Sequence, residues 1–213
     1  MSGNTSATAA LKRNGSASKP SPAKISSLLT LLKFSGARAC ATIRARMLRE
    51  LHSELGIPED YADRLPRYSE ASELVDAGAN IIGHPIRLDP AAHAAWLEMS
   101  RAALGDGITL LLTSGFRSYD GQARLIRKKL NRGQAIADIL KADAAPGYSE
   151  HHTGRAIDVV SPGSRPLTRD FEASAAFGWL SANAGRFGFS LSYPRGNRDG
   201  LEFAPWHWVW RPA

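Results

Sequence analysis

The 213-residue chain has one cysteine, Cys40, so no disulfide within it can staple the fold. It has no long hydrophobic run: every apolar stretch is broken by Ser, Thr, Lys or Gly within about ten positions, which excludes a spanning helix of ordinary length. It also has few acidic residues at one end. Residues 1–50 hold nine basic side chains against one acid, Glu50, while the other 163 residues carry 18 basic and 19 acidic groups. The formal charge of +7 therefore belongs to the leader, and the body is neutral. A nucleic-acid binder needs its cations on a folded surface, so the charge implies no nucleic-acid partner. What is there suits one domain with a real core, at 43% hydrophobic and 22% charged residues.

Residues 1–43 read as a basic, low-complexity leader, either a disordered tail or an atypical export signal. Ile25 to Leu32 and Ala37 to Ala41 faintly follow a secretory pattern, which Lys33 and Arg38 spoil. The globular pattern runs from 44 to 213. Asp89 and Pro90 open a helix closed by Gly105, with Ala92, Ala95, Trp96, Met99 and Ala103 on one core face and His93 on its flank. Ile108 to Thr113 reads as a buried strand. It feeds Ser114-Gly-Phe-Arg-Ser-Tyr119, where Gly115 allows a tight turn and Ser118 caps a basic helix over 119–132. Arg117 then stands at a strand-to-helix junction, with Gln122 one turn along the helix from Ser118.

The densest constellation is Pro146-Gly-Tyr-Ser-Glu-His-His-Thr-Gly-Arg-Ala-Ile-Asp-Val-Val160. Alternation places Asp158 inward, where a carboxylate needs a partner or a metal. His151 or His152 can supply that partner. In Pro205-Trp-His-Trp-Val-Trp210, strand alternation sets His207 opposite a wall of Trp206, Trp208 and Trp210. His207 is then the best third donor, because His52, His84 and His93 stand in segments without such context. Two imidazoles and a carboxylate with one open position form the donor set of a hydrolytic zinc site.

These three segments resemble the signatures of the VanY-type D-alanyl-D-alanine carboxypeptidases, the M15 zinc peptidases, and Phe177 to Pro194 resembles that family's helix and following strand. The resemblance covers about Leu55 to Arg211. It implies an α+β fold, a small single domain with a central, mainly antiparallel sheet flanked by helices. It implies Zn2+ held by His151, Asp158 and His207, and it selects His151 because the ligand follows Ser-Glu directly. It further implies an oxyanion-stabilising Arg117, substrate contacts from Ser149, Gln122, Ser118 and Tyr148, and peptidoglycan stem peptides as substrate. From these follow a monomer on the periplasmic or cell-envelope side, with no stable membrane insertion. One position departs from the pattern. The family's general-base glutamate lies three residues before the last histidine, and here that position is Ala204. Glu202 is the nearest acid and lies too far along a regular strand to replace it. The expectation is therefore a zinc carboxypeptidase that is weakly active or inactive, with a non-catalytic peptidoglycan-binding module as the alternative.

Overall fold

The computed structural model describes residues 37–63 and 65–211; the segment before 37, with most of the basic leader, lies outside the described residues. The chain divides into two units at Met47/Leu48, and helix α1 (Ala37–Leu55) runs through that point and through the expected leader boundary at 43. The second unit, from Leu48 onward, carries everything below. A hairpin of β1 (Val75–Ala79) and β2 (Pro85–Leu88) precedes helix α2 (Pro90–Gly105). Strand β3 (Leu111–Ser114), helices α3 (Tyr119–Leu130) and α4 (Ile136–Ala142), and strand β4 (Ala156–Val160) follow. Helix α5 (Ala175–Asn183), β5 (Phe189–Leu191) and β6 (His207–Trp210) complete it. The main sheet has the order β3-β4-β6-β5, and every described pairing is antiparallel. This is the expected α+β domain.

Local chemistry explains the elements. Asp89 caps α2 by accepting from the backbone N–H groups of Ala91 and Ala92, with Pro90 in the first turn. The helix keeps Gly105, and the left-handed residue beyond its end is Gly107 (φ 77°) rather than Gly105. The strand expected at 108–113 starts three residues later. As a sheet edge it alternates, with Leu112 buried and Leu111 exposed, so it is not the fully buried strand its apolar run suggests. Ser118 caps α3 as expected, accepting from Gly121 N.

The sheet separates packing from chemistry. Leu112, Ile157, Val159, Phe189 and Trp208 join Trp96, Met99 and Ala103 of α2 and Ala176 and Leu180 of α5 in one core cluster. Each fully buried large apolar side chain there contributes about 1.5–3 kcal/mol of transfer free energy. The alternate residues of the same strands, Asp158 and His207, face the other side, directly opposite each other across β4 and β6. Trp206 and Trp210 pack against the core cluster with Trp208, so the tryptophan wall and the histidine do fall on opposite faces. Pro205 and Trp206, however, form a turn closed by His207 N–H donating to Ala204 O (3.0 Å), and β6 begins only at His207.

Candidate metal centre

Three chain segments meet at the site. The first is the β3–α3 junction. A bulge at Thr113 shifts the register so that Ser114, not Thr113, stands opposite Asp158. Gly115 follows at negative φ. Its role is close approach, because a Cβ there would lie 2.6 Å from Ile86 Cγ2 and 2.9 Å from Arg87 O. Arg117 then turns back over the sheet, where Nη2 donates to Ser114 Oγ (2.9 Å) and Nη1 to Gln122 Oε1 (2.9 Å). Its Nη2 lies 3.9 Å from Asp158 Oδ2.

The second segment is the 3-10 turn Glu150–Thr153, closed by Gly154 in the left-handed region (φ 69°). A Cβ on Gly154 would meet Asp89 N and Leu74 Cδ2, both at 2.8 Å, so this crossing is open only to glycine. The turn drives two histidines into the interior. His151 donates from Nδ1 to Gly115 O (2.7 Å) and points Nε2 at Asp158 Oδ2 (3.2 Å). His152 points the other way, accepting from Gly147 N–H on Nε2 (3.0 Å) and donating from Nδ1 to Arg117 O (2.6 Å). Those bonds make His152 a clamp between the loop and the arginine segment, and burial pushes its pKa down to about 4.

The third segment brings His207. Its Nδ1 lies 3.0 Å from Asp158 Oδ1 and its Nε2 lies 2.9 Å from Glu150 Oε2. Tyr193 stacks on one face of the ring, with centroids 4.9 Å apart at 18°, and His151 meets it edge-on at 4.9 Å. Burial would lower the His207 pKa, but the bonds to both carboxylates raise it to about 9. Burial likewise opposes the charge on Asp158, and its two histidine neighbours hold it well below the usual carboxylate range.

Among the described residues, His151, Asp158 and His207 form one group able to hold a cation, with one donor atom from each lying within 4.8 Å of the others. The donor chemistry fits a metal for a specific reason. Burial lowers the His151 pKa and so favours the neutral ring, whose Nδ1 proton goes to Gly115 O. The lone pair on Nε2 therefore faces a buried carboxylate oxygen at 3.2 Å, a contact that a cation relieves. Each histidine also donates its other N–H to an oxygen, the usual arrangement around a ligating imidazole.

The remaining expected residues divide differently. Gln122 is 1% exposed, with its amide donating to Ala144 O and accepting from Arg117 Nη1. Tyr148, 2% exposed, packs edge-on against Tyr61 and accepts from Arg67 Nε, which places it in the interior. Ser118 is used as a helix cap. Ser149 is buried at the start of the 3-10 turn and makes no capping bond with its side chain. Glu202 is paired with Arg169 (2.9 Å) at the surface. Sequence reasoning missed Glu150 and Ser114. The first looks like a solvated acid and the second like a loop residue until strand pairing is known.

The profile of the D-alanyl-D-alanine carboxypeptidase family VanY matches residues 85–213. The chain belongs to this family. It is 36% identical over 118 residues to the putative carboxypeptidase YodJ of Bacillus subtilis (strain 168), a stretch covering 51% of this chain and 41% of YodJ. The LdcB LD-carboxypeptidase, solved for peptidoglycan recognition, is 31% identical with a TM-score of 0.60, covering 68% of this chain and 71% of that one. The vancomycin-resistance D,D-pentapeptidase VanY in complex with Zn(II) is 25% identical with a TM-score of 0.53, covering 69% and 82%. The chain spans only 41–43% of YodJ and of two enterococcal D-alanyl-D-alanine carboxypeptidases.

Proposed function

We propose that this chain is a zinc carboxypeptidase domain that releases the C-terminal D-amino acid of peptidoglycan stem peptides, in a form slowed by Ala204. The observation that carries the reading is the convergence of His151, Asp158 and His207 on one point, with Arg117 beside it. That a VanY relative was solved with Zn(II), and that LdcB is an LD-carboxypeptidase, supports both the ion and the reaction class. Residues 44–213 make up the catalytic domain, acting as a monomer on the cell-envelope side where such substrates lie. The chain's partners are stem peptides, with no nucleic acid and no stable insertion into a membrane.

Zinc at this site supplies Lewis acidity to the scissile carbonyl and to an attacking water. The chain's own residues do the rest. Asp158 and the two imidazoles would hold the ion. The Arg117 guanidinium, clamped by Ser114 and Gln122, presents a fixed positive charge where negative charge develops on the carbonyl oxygen. Ala204 stands where the family pattern has its proton acceptor. Its backbone is tied on both sides, donating to Tyr193 O (3.1 Å) and accepting from His207 N–H, but a methyl group takes no proton.

The test is elemental analysis together with hydrolysis of D-Ala-terminated penta- and tetrapeptides by the wild-type chain and by Ala204→Glu. One zinc per chain is expected, with a gain of about 10²–10⁴-fold in rate for the variant. The same Ala204 supports a second reading, a module that binds peptidoglycan without cutting it. That reading predicts muropeptide binding and zinc in both proteins with no gain in rate. A chain that takes up no zinc would end the hydrolase reading.

A further inference from the structure

Among the described residues, Glu150 is a buried acidic side chain beside the site that the proposed chemistry leaves without a task. It is 4% exposed, in the same 3-10 turn as His151, and its carboxylate lies against His207, 57 residues away in the chain. A buried carboxylate with no role is costly, so its partners show what it is for. Oε2 lies 2.9 Å from His207 Nε2, while Oε1 accepts from Arg211 Nη2 (3.2 Å) and faces the Tyr68 hydroxyl at 3.4 Å. The two ring nitrogens of His207 thus look at two different carboxylates on opposite edges of the imidazole, Asp158 at Nδ1 and Glu150 at Nε2. Glu150 is therefore no substitute for the missing base, because the ring stands between it and the ligand atoms.

We infer that Glu150 is an orienting residue of the metal centre: by accepting the Nε2 proton of His207 it fixes the tautomer and the ring plane, leaving the Nδ1 lone pair for the ion. This rests on the proposed metal site and adds to it a residue outside the ligand set. One short turn then supplies a ligand, His151, and the group that aims a second ligand. Tyr193 stacked on the ring holds the tilt, while Glu150 decides which nitrogen carries hydrogen. Arg211 and Tyr68 in turn hold the carboxylate in place, with Arg211 also donating to Ser190 Oγ (2.8 Å) on the neighbouring strand.

The experiment measures zinc affinity by chelator competition in the full chain, for wild type, Glu150→Gln and Glu150→Leu. Nitrogen-15 NMR of the imidazoles in the zinc form accompanies it. Loss of an outer-shell carboxylate typically weakens metal binding about 10–100-fold, and Glu150→Leu is expected to fall in that range. Glu150→Gln keeps an acceptor for the Nε2 proton and should lose less than about tenfold. The NMR should show His207 protonated at Nε2 in the wild-type zinc form, with that N–H exchanging faster with solvent in Glu150→Leu, where its acceptor is gone. Wild-type affinity in Glu150→Leu, or a wild-type zinc form with the proton on Nδ1, would overturn the inference while leaving the metal site standing. If Glu150→Leu does not fold, the glutamine variant and the wild-type spectrum decide. No zinc uptake by the wild type would overturn the metal site itself, and the orienting role with it.

Discussion

The two sides of the site are built to different standards. On the metal side the buried charges answer one another: Asp158 is flanked by His151 and His207, and His207 by two carboxylates. On the proton side, Ala204 keeps the backbone bonds of its turn and offers no group to titrate. On the proposed function, the difference teaches that holding a cation and moving a proton would rest on separate parts of the fold. Buried charges constrain one another, so removing one from the metal side strands its partners at a cost of several kcal/mol. A side chain at the head of a turn supports nothing else, and its chemistry can vanish while the frame stands.

Substitutions can sharpen this contrast. The largest effect is expected from Arg117→Met in the Ala204→Glu background. Removing one preorganised oxyanion donor costs about 10²–10³-fold in kcat, and zinc content should stay unchanged. A fall in zinc content instead would mean that the arginine belongs to the metal side. Next in size is Gly154→Ala, which forces a side chain into a left-handed backbone and against Asp89 N. It should cost about 3 kcal/mol in urea unfolding of the metal-free chain. An unchanged midpoint would show that the loop can move away from α2 and that the metal side is less rigid than its bonds suggest.

The smallest effect concerns His152 and depends on pH. Its folded pKa of about 4 lies below the ordinary 6.5, so between these values the unfolded chain binds a proton that the folded chain refuses. Stability contributed by the neutral clamp is complete above 6.5, falls as pH drops toward 4, and levels off below. His152→Gln keeps one acceptor for Gly147 N–H and one donor for Arg117 O without titrating. Thermal melts of the metal-free proteins should therefore diverge by about 1–2 kcal/mol from pH 7 to pH 5, with the glutamine variant losing less. Parallel curves would show that acid loosens the domain elsewhere.

Much of this was legible in the linear chain. Asp89, Pro90 and Ser118 announce helix starts because capping is a local bond, and Trp96, Met99 and Ala103 announce the core because helical period is local too. His151, Asp158 and His207 stood out as candidates because a metal needs those atoms and their segments resemble a family. Gln122 and Tyr148 stood out through their motifs, but a motif does not say which way a side chain faces, and their bonds to Ala144 O and Arg67 came only with the fold.

The sequence alone determined residue chemistry and the alternation that sets Asp158 and His207 on one face and Ile157 and Trp208 on the other, because these follow from neighbours within a few positions. Only the tertiary structure decided that Ser114 stands opposite Asp158, through a bulge that is a property of a strand pair. It also decided that Glu150 meets His207, through a turn and a strand 57 residues apart. Contacts of that kind depend on how two distant segments are packed, and packing is settled by the whole core at once.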